Sequence, residues 1–167
     1  MQMPKKRSER PALTLVVWYA DLSSGDMAKV GGNNASLGEM VTRLQRAGIN
    51  APHGFATAAE AYWMFLNENR LTKRIRVRLT QFKKGNLTLQ AAGLAIRRMI
   101  LAGKMPSALD TAITSAYRDL SRRYRQPHVD VAVRSSTIAE DLPQASFAGQ
   151  LESFLNIRGE IYLDRCV

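Results

Sequence analysis

The stretch VGGNNASLGEM, Val30 to Met40, has the residue types of an anion site. Gly31 and Gly32 open a turn, Asn33 and Asn34 follow, and helical spacing then begins. A glycine turn running into a helix N-terminus presents backbone N–H groups to phosphate or carboxylate oxygens. Such a site usually also carries a lysine or arginine, and Asn33 stands where one would be expected. The same residues equally make a plain Gly-Gly turn capped by Asn33 or Asn34. A second group lies in VAVRSSTIAEDLPQASFAGQ, Val131 to Gln150. Arg134 closes an alternating strand and is followed by Ser135 and Ser136. An arginine at a strand end, beside hydroxyls and loop amides, suits a two-pronged grip on phosphate oxygens. The competing reading pairs Arg134 with Glu140 or Asp141. Gly149, in SFAGQLESFLN, either lets backbone approach a ligand or simply enters a strand.

The elements that must position these residues are legible from periodicity. Leu13–Tyr19 is rich in β-branched and aromatic residues and reads as a buried strand. Leu37, Met40, Val41 and Leu44 share a helical face over about 34–47, with Gly48 as its stop. Ser36 and Glu39 have capping-box spacing, which allows a start one turn later. An extended piece, APHGFAT, leads to a helix opened by a Thr57–Glu60 capping box and running to about Asn67. Leu71, Ile75, Leu79 and Phe82 stripe the basic segment Arg70–Lys84, which reads as an amphipathic helix ended by Gly85–Asn86. Further helices cover Leu89–Leu101 and a longer stretch after Pro106, capped by Ser107 and Asp110. Val129, Val131 and Val133 then alternate as a half-buried strand. A polar loop and a last strand, about Leu151–Ile157, follow. The order of strand, five helices, strand, loop and strand makes the class mixed α and β. Three regions are expected: a basic lead without structure at 1–11, one domain over 12–159, and a tail at 160–167.

Composition narrows the function. The chain has 167 residues, 46% of them hydrophobic, and carries a net charge of +10. That length supports one domain with its own core. No apolar run approaches the roughly 18 residues of a membrane span. The basic start and short apolar run loosely imitate a signal peptide, but Trp18 and Tyr19 occupy the place of small cleavage-site residues. The single cysteine, Cys166, rules out an internal disulfide and fits a reducing cytoplasm. The basic residues gather in KKRSER and in Arg70–Lys84, ordinarily a solvated face. No zinc spacing, helix-turn-helix pattern or aromatic-interleaved basic strand supports a nucleic-acid partner, and no membrane partner is expected. His53 and His128 read as loop residues. Glu140, Asp141 and Glu152 are too scattered for a metal to be assigned.

Val30–Met40, APHGFAT and VAVRSSTIAEDLPQASFAGQLESFLNIRG, in that order, resemble the N-terminal nucleotide-binding region of the phosphoenolpyruvate synthase (pyruvate, water dikinase) family. The wider group includes pyruvate phosphate dikinase and rifampicin phosphotransferases. The resemblance covers about Val16 to Gly159, and VVWY with EDLPQASFAGQ points to the phosphoenolpyruvate synthase branch. It implies an ATP-grasp-like fold, incomplete here, that clamps ATP and magnesium. The family phosphorylates a histidine on a mobile domain, which carries the phosphoryl group to pyruvate on a third domain. It implies phosphate contacts from Arg134 and the Gly31–Gly32 turn, with Ser135, Ser136 and Gly149 in a loop closing over the nucleotide. Asn33 replaces the family lysine, and Thr137 with Ile138 replaces alanine and threonine. The family's ATP-binding region continues past the point matching GEIYLDRCV and there supplies the magnesium carboxylates. The chain alone is therefore expected to be inactive, with the phosphohistidine and pyruvate domains as a candidate separate chain. A basic non-catalytic binding module is the rival reading, and an antibiotic hydroxyl the rival acceptor.

Overall fold

The computed structural model describes residues 14–136 and 152–160. The expected basic lead, the loop carrying Thr137, Ile138, Glu140, Asp141 and Gly149, and most of the expected tail lie outside them. The described residues are mostly helical, with two small sheets. The first strand, β1, is shorter than the apolar run suggested, at Val16–Trp18. Tyr19–Asp21 turns into a single 3-10 turn instead. A second such turn, Ser24–Asp26, is closed by a capping box in which Ser23 and Asp26 exchange hydrogen bonds. There follow α1 (Met27–Val30) and α2 (Gly32–Arg46). Next come β2 (Phe55–Thr57), α3 (Ala59–Glu68), α4 (Leu71–Lys83) and α5 (Leu89–Leu101). The chain ends with α6 (Ser107–Arg123), β3 (Val131–Arg134) and β4 (Ser153–Ile157).

The extended piece APHGFAT holds β2, which pairs antiparallel with β1 through Val16 with Thr57, Val17 with Ala56, and Trp18 with Phe55. Side chains alternate across a strand, so this ribbon divides the interior. Val16, Trp18 and Phe55 pack on a cluster of Ala61, Leu109, Ile113, Tyr117, Leu120 and Val129. Val17 and Ala56 belong to a second cluster with Leu22, Val30, Ala35 and Ala58. The first cluster rests on α6, whose buried Leu109, Ile113, Ala116, Tyr117 and Leu120 recur at helical spacing. Burying each large aliphatic side chain there contributes about 1.5–3 kcal/mol.

Three capping expectations fail for one reason: the helices begin where neighbouring backbone allows, not where the cap residues sit. The Ala58 N–H donates to the Leu15 carbonyl, 2.9 Å, so strand pairing runs through Thr57 and α3 starts at Ala59. The Pro106 carbonyl accepts from the Asp110 N–H, 2.9 Å, which makes Pro106 the N-cap and puts Ser107 inside α6. The Gly31 carbonyl accepts from the Ala35 N–H, 3.1 Å, so α2 starts two residues earlier than Asn34 and encloses Ser36 and Glu39. Thr88 does cap α5, accepting from the Ala91 N–H at 3.1 Å.

The antiparallel pair of β3 and β4 is fastened at both ends. Tyr117 is buried and donates its hydroxyl to the Val129 carbonyl, 2.8 Å, while accepting from the Gly159 N–H, 2.8 Å. Arg158 pairs with Asp130, and Arg118 grips Glu160 with two bonds of 2.6 and 2.8 Å. These partners hold the Asp130 and Glu160 carboxyls below their ordinary range. At the other end the Ser135 hydroxyl and N–H both meet the Glu152 backbone, at 2.9–3.2 Å. No helix among the described residues is long and apolar enough to cross a membrane.

Candidate functional site

The turn between α1 and α2 is held in a conformation that demands glycine. Gly31 has φ 84° and ψ 157°, a region closed to side chains with a Cβ. It reverses the chain from α1 directly into α2, so the N-terminus of a fifteen-residue helix opens at this turn. The first N–H groups of a helix have no partner within it, and the helix dipole adds positive potential there. Gly31 and Gly32 are buried and Asn33 is exposed. Asn34 does not cap the helix. Its side-chain amide donates to the Val30 carbonyl, 2.8 Å, and so braces the turn from the α1 side.

Two of the expected groups meet here. The Ser136 hydroxyl, just past β3, donates to the same Val30 carbonyl at 3.2 Å. That contact joins residues 106 apart in sequence and brings the end of β3 to the glycine turn. Arg134 is exposed at the end of β3. Its charge reaches Tyr19, whose hydroxyl donates to Asn34 Oδ1 at 3.4 Å. Burial raises the Tyr19 pKa above its ordinary value, and the nearby Arg134 guanidinium opposes that rise. Ser135 faces the other way, toward Glu152, and anchors β4 rather than the turn. Gly149 lies outside the described residues.

Tyr19 and Gly54 are the participants that sequence reasoning missed. The Tyr19 N–H donates to the Gly54 carbonyl, 3.0 Å, and its ring lies across Gly54. A Cβ on Gly54 would stand 2.5 Å from Tyr19 Cε2. The histidines stay outside the cluster: the His53 N–H donates to the Tyr124 hydroxyl, 2.9 Å, and its ring packs edge-on against Tyr124. Among the described residues, no three His, Cys, Asp or Glu side chains are grouped to hold a metal ion. The described residues therefore do not by themselves offer a set of magnesium ligands. What they bring together is a glycine turn at a helix N-terminus and, two residues before Ser136, the arginine that ends β3.

Residues 27–165 match the pyruvate phosphate dikinase AMP/ATP-binding domain. The chain belongs to that family. The AMP/ATP-binding domain match takes in α1, the glycine turn, both sheet strands at Arg134 and Ser153, and every helix between. The chain is 45% identical over 148 residues to a phosphoenolpyruvate synthase of Synechocystis sp., covering 86% of this chain and 18% of that protein. It is 44% identical over 146 residues to the phosphoenolpyruvate synthases of Aquifex aeolicus and of Escherichia coli. Those alignments cover 87% of this chain and 17% and 18% of the relatives. The chain thus spans under a fifth of the length of the curated relatives it matches.

Proposed function

We propose that this AMP/ATP-binding domain supplies one jaw of an ATP-grasp-type clamp for a phosphoenolpyruvate synthase-like phosphotransferase. In that reaction pyruvate, ATP and water give phosphoenolpyruvate, AMP and phosphate. The observation that supports the reading is the meeting of Ser136 and Asn34 on the Val30 carbonyl, which brings the chain just past β3, two residues after Arg134, to the glycine turn. The N-terminal turn of α2 presents backbone N–H groups of the kind that hold phosphate oxygens. Arg134 adds the positive charge that a transferring phosphoryl group needs. Asn33 donates a hydrogen bond without a charge, so the jaw holds phosphate more weakly than a lysine there would. Magnesium would supply charge neutralisation at the phosphate oxygens. Its ligands, and the phosphohistidine and pyruvate-binding parts, come from outside this jaw.

The test is calorimetric titration of ATP and adenosine at fixed salt and magnesium. Arg134→Ala weakens ATP binding by about 1.5 kcal/mol, roughly tenfold, and leaves adenosine binding unchanged. Asn33→Lys tightens ATP by no more than that, because the open jaw is wet. ATP affinity that is indifferent to Arg134→Ala overturns the assignment.

A further inference from the structure

From Asn69 to Leu109 the chain has ten lysines and arginines and no aspartate or glutamate. The net charge of +10 is carried by this span alone, since acids and bases balance over the remainder. The fold gathers the span into one unit, the antiparallel hairpin of α4 and α5. Its base is fixed by Asn69, whose side chain donates to the Phe65 and Lys104 carbonyls and accepts from the Lys104 N–H, all at 2.8–2.9 Å. The ion pairs between described residues all lie elsewhere, on α2, on α6 and at one end of the β3–β4 pair.

Leu71 is buried and Ile75 half-buried, so the first half of the apolar stripe turns inward, while Leu79 and Phe82 stay exposed. On the opposite face Lys73, Arg76, Thr80 and Lys84 follow at helical spacing and line an open groove of about 590 Å³. Gln81 and Asn86 add amide donors to it. From Lys73 to Lys84 the helix rises by roughly 16 Å, the rise of about five nucleotides of one strand. Cations interleaved with hydroxyl and amide donors suit a phosphodiester backbone. An interfacial helix would instead lay a continuous apolar face, opposite its cations, into a bilayer, and on α4 that face is withdrawn into the protein at Leu71 and Ile75 and exposed only at Leu79 and Phe82. Binding of this kind needs no recognition motif, because phosphate neutralisation is independent of sequence.

We propose that the outer face of α4 is a nucleic-acid docking surface that grips the phosphodiester backbone through Lys73, Arg76 and Lys84. The surface is separate from the glycine-turn jaw and does not depend on its ATP reading.

Fluorescence anisotropy of a labelled oligouridylate and a labelled DNA duplex, across a salt series, tests it. The expected result is binding at low salt that weakens as salt rises. Replacing Lys73, Arg76 and Lys84 together by Gln then lowers affinity roughly a hundredfold at low salt and flattens the single-strand salt slope by about two. Gln keeps helix propensity, and an unchanged circular dichroism spectrum confirms the fold. A charge-matched control, Arg43, Arg46 and Arg122 to Gln, retains most of the affinity. Absence of binding at low salt overturns the proposal. So does equal weakening in both triple variants, which reduces the effect to net charge. Capture by phosphatidylserine vesicles without nucleic-acid binding assigns the face to a membrane and also overturns it.

Discussion

Tyr19 shows how one side chain joins three segments. Its ring needs the space left by Gly54, and its hydroxyl reaches the asparagine that braces the glycine turn. Gly54→Ala would press a methyl into the ring at 2.5–2.8 Å, and the ring must give way. We expect a loss of about 1–3 kcal/mol in urea unfolding, the usual range for overpacking. We also expect the raised Tyr19 pKa to fall back toward the ordinary value near 10 as the ring becomes wet. In the parent protein the Tyr19 contribution to stability is whole below about pH 10 and is lost as pH climbs through the raised value. Absorbance titration reads the shift, with Tyr19→Phe marking which tyrosine is seen. A titration curve unmoved by Gly54→Ala would show that the ring is not held there. The glycine turn, Arg134 and Ser136 were legible as residue types suited to phosphate. Tyr19 was not, because it closes an apolar run that reads as strand, and its contact lies 35 positions away on a glycine.

Helix interiors give a sharper contrast, because α2 and α5 each contain a glycine that local propensity disfavours. Alanine is preferred to glycine within a helix by about 1 kcal/mol. In α2 a Cβ on Gly38 would meet Leu22 Cβ at 2.4 Å and the Tyr19 and Leu22 carbonyl oxygens at 2.9 and 3.0 Å. Backbone atoms cannot swing aside as a side-chain tip can. The clash outweighs propensity, and Gly38→Ala destabilises by about 1–3 kcal/mol. In α5 a Cβ on Gly93 meets nothing within 4 Å, so Gly93→Ala stabilises by about 0.5–1 kcal/mol. Denaturant midpoints decide both, and the same sign for the two variants would refute the packing account. The five longer helices were readable from apolar spacing, α5 to the residue. The caps of α2, α3 and α6 were not, because a Ser or Thr at cap spacing works only where the backbone first becomes helical. At Thr57 and Ser107 that place is set by strand pairing and by Pro106.

The whole molecule has an uneven charge distribution, with the basic hairpin at α4 and α5 beside an electrically balanced body. Composition revealed the excess but not its concentration on one helix face, which needs the fold. The pairing of β1 with β2 was also hidden, since three-residue strands barely register as alternation and their partnership spans about forty residues. That ribbon separates two apolar clusters and contributes side chains to each. A slip of one residue would turn Val17 and Ala56 toward the α6 side, and Val16, Trp18 and Phe55 away from it. Neither cluster can therefore loosen while the other keeps its wall. Melting should be all-or-none, with calorimetric and van't Hoff enthalpies equal, and a cavity made at Val17 or at Ile113 should lower one shared transition temperature. Two resolved heat-absorption peaks would refute this. A partition only two strands wide thus makes the two halves of the interior a single cooperative unit.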